Sequence, residues 1–405
     1  MNVLEGIKVV DVTAWAFVPS AGGVLAHWGA EVVKIESPAA PDPMRLLGGT
    51  LEPGGASWYF KHYSRGKRSI AVDLASDEGR EVIYRLVAEA DVFLTSYLPA
   101  TRRKLKIDVD DIRAVNPRII YARGSGQGPQ GPEAERPGYD GITWWCRGSL
   151  AQSTMDVSGA TWPTGMVGHG DGMSGMTLAG GVCAALLQRE RTGETPVVDG
   201  SLLGTAVWFN GPAIIPSQFP GAPERTFAPA TPPATHALAP PNMNTYQTKD
   251  HRFLNLLFLG DADRDWVDLC EHLQRPDLAT DPRFAHAPDR MANGPAATAI
   301  LDEIFASKTL EEWKQVLVSA KGAWSPVQTP RELYDDPQVV ANGFLRHVDY
   351  PDGGLKIPVP PILFDEDAGD PPPAPDFAAH TDEVLREIGF DEEAIAKLRA
   401  SGAVA

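Results

Sequence analysis

An α/β fold built on a parallel sheet is what this 405-residue sequence predicts, and three observations predict it. Short apolar runs alternate with helix-patterned stretches over the first 125 residues. The runs are mainly apolar, which suits strands covered on both faces. A proline-rich stretch, with eight prolines between 216 and 241, then separates this region from a second, smaller one.

The elements follow in order. "IKVVDV" (7–12), bounded by Gly6, is the first strand, and a helix is expected after Pro19 in "SAGGVLAHWG". "AEVVKIE" (30–36) is the second strand and "RSIAVDL" (68–74) the third. In "SDEGREVIYRLVAEA", Ser76 is placed to cap a helix, and Asp77 and Glu78 suit its positive end. Val82, Leu86 and Ala90 fall on one face of that helix. "DVFLTSY" (91–97) is the fourth strand. A short helix near 109–115 leads to "RIIYARGSG" (118–126), the fifth. The pattern is Rossmann-like. The first strand-to-helix turn, "DVTAWAFVPS", lacks GxGxxG, so NAD or FAD is not expected there.

Beyond the prolines, "TYQTKDHRFLNLLFL" predicts a hairpin turning at Lys249–Asp250. "DADRDWVDLCEHL" predicts a helix, and Thr309 with Glu312 a capping box. A second proline-rich stretch covers 358–375. Two short C-terminal helices are closed by Gly389 and Gly402. The expected organisation is a large domain at 1–200, a linker at 201–244 and a smaller α+β domain at 245–335. A return linker at 336–375 and C-terminal helices at 376–405 complete it.

The net charge of −17 argues against nucleic acid or an anionic membrane as partner. No run approaches the ~18 apolar residues of a membrane span, and the N-terminus reads as a strand, not a signal peptide. Three scattered cysteines give neither a disulfide framework nor a metal motif, and a reducing cytoplasm fits. No metal is expected.

"GHGDGMSGMTLAGG" (168–181) sets Asp171 among glycines before an apolar helical run. The residues alone leave two readings open: a helix cap, or a carboxylate stripped of steric cover so that something large can reach it.

Several segments together resemble the class III CoA-transferases of the formyl-CoA and carnitine CoA-transferase type. They are "GAEVVKIESP" with Arg45, "GKRSIAVDL", "AEADVFLTSYLP", "NPRIIYARGSGQGPQGP", "GDGMSGMTLAGGVCAALLQRERTG" and "HTDEVLREIGF", in order and with matching spacing. The resemblance implies an interlocked homodimer, with the C-terminal segment packed on the large domain. It implies Asp171 as the nucleophile that exchanges CoA between carboxylic acids through an anhydride and an aspartyl-CoA thioester. Coenzyme A would be a substrate, with an acyl-CoA donor and a carboxylic acid acceptor, and no other cofactor. Arg45, Lys67, Arg68, Lys104 and Tyr139 are the residues this assigns to CoA. Trp15, Trp144, Trp145, His169, Gly170 and Gly172 are assigned to the acyl pocket or to an oxyanion site. Asp171 is expected to stay ionised at a helix N-terminus.

The sequence departs from the family pattern at Val18-Pro19, at Trp144-Trp145, and in lacking an evident glycine-rich loop in the small domain. With Trp162 and Met166, the paired tryptophans hint at a bulky apolar acyl group. Two alternatives accompany the transferase. An α-methylacyl-CoA racemase of the same fold would need a histidine where Tyr139 stands. A non-catalytic CoA-binding partner subunit would not need Asp171.

Overall fold

The computed structural model describes residues 2–47, 56–152, 154, 168–220, 236, 239–351 and 353–405. Trp162 and Met166 lie outside these residues. The chain forms two compact units. The larger takes the described residues up to 154, then 168–220 and 337–405; the smaller takes those from 236 to 336.

The larger unit holds six strands: β1 (Lys8–Val12), β2 (Glu31–Glu36), β3 (Arg68–Ala71), β4 (Val92–Thr95), β5 (Ile120–Ser125) and β6 (Val197–Ser201). All pairings are parallel, in the order β3-β2-β1-β4-β5-β6. The order reverses direction between β1 and β4, so a crevice opens at their carboxyl ends. The helices that matter below are α1 (Phe17–His27), α2 (Trp58–Tyr63), α3 (Asp77–Glu89), α4 (Pro99–Leu105), α5 (Val109–Val115) and α6 (His169–Thr192).

Successive strand residues point to opposite faces, and the cores divide accordingly. Val9, Val32, Leu94 and Ile120 pack with Val18 and Leu25 of α1 and Leu178 and Val182 of α6. Val10, Val33, Ile70 and Phe93 face the other way. They pack with Val82, Ile83, Leu86 and Val87 of α3 and with Val384, Leu385, Ile395 and Leu398 near the C-terminus.

Local chemistry matches the expected starts and stops. Ser76 accepts from the Gly79 N–H at 3.0 Å. Gly389 and Gly402 take φ of 86° and 76°, the left-handed conformation that ends a helix. Helix α1 begins at Phe17, two residues before Pro19, because proline is tolerated within a first turn. β6 is the strand the pattern missed. Its residues are only half-buried, so it carries no apolar run.

The C-terminal segment closes the β3 edge. His380 N–H donates to the Ser69 carbonyl at 2.9 Å, and Ala405 N–H to Ala71 at 3.2 Å. The Ala71 N–H donates to Thr381 Oγ1 at 3.3 Å.

α1 and α6 approach so closely that glycine is required between them. A Cβ on Gly175 would lie 2.6 Å from Ser20 Cβ and 2.8 Å from the Phe17 carbonyl. Gly175→Ala is therefore expected to cost about 1–3 kcal/mol. Urea unfolding checks it, and an unchanged midpoint would show that the two helices separate freely.

The smaller unit pairs β7 (Thr245–Gln247), β8 (Phe253–Leu256) and β9 (Trp324–Pro326) antiparallel, in that order. Its core gathers Tyr246, Leu254, Leu256, Trp266, Phe305 and Trp313. The Thr309–Glu312 capping box is formed. Within the expected linkers, Leu202–Phe209 is helical, and Leu345–Val348 pairs antiparallel with Leu355–Pro358. No helix among the described residues is long and apolar enough to cross a membrane.

Candidate active site

A cavity of about 520 Å³ opens at the carboxyl ends of β1, β4 and β5, where the strand order reverses. Three strand exits build it: Ala14–Val18 after β1, Ser96–Leu98 after β4, and Gly124–Gly126 from β5. The N-terminus of α6 closes one side with Gly168 and Asp171. Its wall is mostly apolar and aromatic, from Trp15, Phe17, Tyr59, Tyr63, Tyr97 and Tyr139.

Asp171 is the third residue of α6, yet it does not cap the helix. Asp140 does. One of its carboxylate oxygens accepts from the Gly168 N–H at 3.0 Å. The other accepts from the Asp171 N–H at 3.2 Å, and the Gly170 N–H adds to the set. The Gly172 N–H turns back to the Gly168 carbonyl at 2.9 Å. The N–H groups of Gly168, Gly170, Asp171 and Gly172 are thus taken. Among the described residues no donor reaches the Asp171 carboxylate.

This corrects the expectation of an Asp171 kept ionised by the helix end. Burial against the apolar wall, joined by the negative charge of Asp140, pushes its pKa from 3.8 up to about 7. The dipole's benefit goes to Asp140 instead. Burial raises the pKa of Asp140 as well, opposed by the three N–H groups it accepts.

The glycines around Asp171 have separate reasons. A Cβ on Gly170 would lie 2.3 Å from Trp144 Cγ and 2.5 Å from Asp140 Oδ1. Glycine there lets Asp140 and Trp144 lie over the helix end. Among the described residues, a Cβ on Gly172 would meet only the Tyr63 hydroxyl, in ordinary contact at 3.9 Å. The expectation that both are bare for a thiol's approach holds no support at Gly170, whose space is filled. With its N–H group taken, an oxyanion site at Gly170 gives way too.

Tyr63 lies in the wall beside them. Its hydroxyl donates to the Gly168 carbonyl at 3.0 Å. Burial, then the charges of Asp171 and Asp140, raise its pKa, so the phenol stays protonated. Tyr59, one turn earlier on α2, is shifted the same way for the same causes, burial first.

The remaining expected site residues separate. Trp15 and Tyr139 line the cavity, edge to face with centroids 5.3 Å apart. Trp144 and Trp145 do not line it. They are 4% and 9% exposed in the core beneath α1 and α6, which corrects the acyl-wall reading. Both belong to a π-helix at Asp140–Arg147, whose wider turn directs them inward. His169 is exposed and stands off the cavity wall, its ring 6.3 Å from that of Trp145.

The expected phosphate cations are mostly committed elsewhere. Arg45 is buried, doubly bonded to Glu36 at 2.8 and 2.6 Å, and stacked on Phe60. The Lys67 ammonium is enclosed, 2.7 Å from both Asp11 and the Pro19 carbonyl. Burial, against the pull of Asp11, pushes its pKa down to about 8. Arg68 clasps Glu31, Glu383 and Glu387, tying β2 and β3 to the C-terminal helix. For these three, the phosphate-contact reading gives way to an internal strut. Lys104 is exposed on α4, with no partner among the described residues.

Sequence reasoning missed Asp140, Tyr59 and Tyr63. The tyrosines had a signal: "WYFKHY" places them one turn apart behind a Ser57 cap. Asp140 had none, being 31 residues from Asp171 and joined to it only by folding. Among the described residues no cluster of three or more His, Cys, Asp or Glu could hold a metal.

The family model described as "CoA-transferase family III" matches residues 4–381. The (R)-2-hydroxy-4-methylpentanoate CoA-transferase of Clostridioides difficile is 31% identical over 408 residues, covering 99% of each chain. The cinnamoyl-CoA:phenyllactate CoA-transferase of Clostridium sporogenes is 29% identical, covering 98% of this chain and 96% of its own. The crystal structure of a CAIB/BAIF family protein from Brucella suis superposes with a TM-score of 0.80 at 28% identity. It covers 96% of this chain and all (100%) of that one.

Proposed function

Since the chain belongs to CoA-transferase family III and is a CoA-transferase, we propose that it moves CoA between apolar carboxylic acids with Asp171 as the covalent relay. One observation carries this reading. A carboxylate that no donor among the described residues reaches stands in the wall of an apolar cavity, its pKa pushed up to about 7. Such a carboxylate is still ionised in good part near neutrality. It is also more basic, and so more nucleophilic, than a solvated one.

The steps balance without net proton transfer. The Asp171 carboxylate attacks the donor thioester carbonyl, the C–S bond breaks, and CoA leaves as thiolate. The thiolate attacks the Asp171 carbonyl of the resulting anhydride. The donor acid departs as carboxylate and an aspartyl-CoA thioester remains. An acceptor carboxylate attacks that thioester and again expels the thiolate. The thiolate then attacks the acceptor carbonyl, giving the new acyl-CoA and restoring Asp171. Water exclusion by Trp15, Phe17, Tyr59 and Tyr63 protects the anhydride from hydrolysis.

An acyl group with an apolar side chain is supported by the wall and by the branched-alkyl and phenyl groups of the acids in the two relatives' names, (R)-2-hydroxy-4-methylpentanoate, cinnamate and phenyllactate. A second cavity of about 270 Å³, lined by Arg102 and Arg103 of α4 and by Arg123, shares Tyr97, Leu98, Gly124 and Ser125 with the first and supports CoA phosphates entering from that side. A homodimer belongs to the same proposal. Trp208 (82% exposed), Ile215 (59%) and Phe219 (65%) leave an apolar surface suited to a second copy.

Intact mass spectrometry after incubation with a panel of acyl-CoAs tests the relay. A hydroxylamine-labile adduct on the peptide holding Asp171 is expected, and none in Asp171→Ala. Persistence of the adduct in that variant would sink the assignment.

A further inference from the structure

We propose that Trp15, held in a left-handed backbone conformation by a buried ion pair, is the residue that selects a planar aromatic acyl group. The proposal deepens the transferase reading and rests on it.

The first observation is conformational. Trp15 has φ of 71°, a region that glycine adopts freely and a bulky side chain rarely does. Glycine is the ordinary solution at such a turn, so a tryptophan there calls for a return elsewhere.

The second is the device that holds it. The Trp15 N–H donates to Asp42 Oδ1 at 3.0 Å. The neighbouring Ala14 N–H donates to Ser96 Oγ at 2.9 Å. Asp42 is itself fixed by Lys34 at 2.8 Å, both side chains at most 1% exposed. The same ammonium donates to the Thr13 carbonyl at 2.9 Å. Burial lowers the pKa of Lys34, but the carboxylates of Asp42, Asp11 and Glu36 outweigh it and keep the ammonium charged. One enclosed ion pair therefore grips the chain on both sides of Ala14.

The third is what the arrangement presents. Trp15 is 39% exposed and Tyr139 48%, although both line the cavity. Their planes meet at 78°. The two rings form an open corner: a flat π-system can lie on one and meet the edge of the other, the geometry aromatic groups favour. A short or charged acyl group gains little from it. Trp144 and Trp145, buried in the core, cannot supply such a surface.

The test compares phenylpropionyl- and cinnamoyl-CoA with acetyl- and propionyl-CoA as donors. Trp15→Gly is the main variant, because glycine accepts the φ and folding is not put at risk. The aromatic-to-short ratio of kcat/KM is expected to fall at least tenfold, and Tyr139→Leu is expected to lower it in the same direction. Calorimetric binding of the same four esters to Asp171→Ala, with and without Trp15→Gly, reads selection without turnover and is expected to show the same loss. An unchanged ratio in both measurements overturns the proposal. So does an equal loss for all four esters, which would place the indole against CoA itself. Absence of transfer from every donor in the unaltered enzyme would sink the transferase reading alone, since the binding comparison still judges the corner.

Discussion

Asp171→Ala is expected to lower CoA transfer at least about a thousandfold, because the covalent route is lost outright. The same change is expected to stabilise the protein increasingly as pH rises. Alanine is preferred to asparagine here, since asparagine ahead of Gly172 deamidates back to the acid. The stability argument is one of linkage. In the unfolded chain Asp171 titrates near its ordinary 3.8, and in the fold near 7. Between these values the folded state holds a proton that the unfolded state has lost. Stability conferred through this group is full below about pH 4 and falls as pH rises towards 7. The alanine variant has no such loss. Its advantage over the unaltered protein should therefore grow from pH 5 to pH 8 by about 1–3 kcal/mol, discounted for the partial exposure of the carboxyl. Urea midpoints at the two pH values measure it. A pH-independent difference would mean that Asp171 is an ordinary solvated acid, and the cavity's electrostatics would have to be redrawn.

The second large effect concerns Asp140. Its carboxylate takes the Gly168, Gly170 and Asp171 N–H groups and sets a negative charge beside Asp171. Asp140→Ser retains an oxygen acceptor and removes the charge, and it avoids the labile Asn-Gly pair that asparagine ahead of Gly141 would create. The acidic limb of the kcat/KM profile reports ionisation of Asp171 in the free enzyme. It should lie near pH 7 and move down by about one unit in this variant. Asp140→Ala removes the cap as well. It is expected to cost about 1–2 kcal/mol of stability and roughly tenfold to a hundredfold in rate, through misplacement of the α6 N-terminus. An acidic limb that stays put in Asp140→Ser would show that burial alone raises the Asp171 pKa.

The sheet was readable because its evidence is local. Each central strand is a mainly apolar run, broken only by single charges such as Asp11 and Lys34, and Ser76, Thr309, Gly389 and Gly402 signal helix ends within a few residues of where they act. β6 escaped because an edge strand is only half covered. The candidate site divides along the same line. Asp171 stood out by its glycine setting, while Trp15 was named only through the family resemblance. The basic residues misled. "GKRSI" reads as exposed cation, but β3 carries Lys67 into the interior to meet Asp11 and leaves Arg68 to bind three acids. The paired tryptophans misled in the opposite sense, since an eight-residue π-helix turns them into the core.

The alternating α/β order, the family and an acid set among glycines were legible in the chain alone, since each depends on residues adjacent in the chain or on motifs recurring in order. Only the tertiary structure decided the state of that acid. Its pKa is governed by burial and by a carboxylate 31 positions away, which claims the helix-end donors that chain position alone would have assigned to Asp171. Charge and desolvation act through space over a few ångströms, and separation along the chain carries almost none of that information.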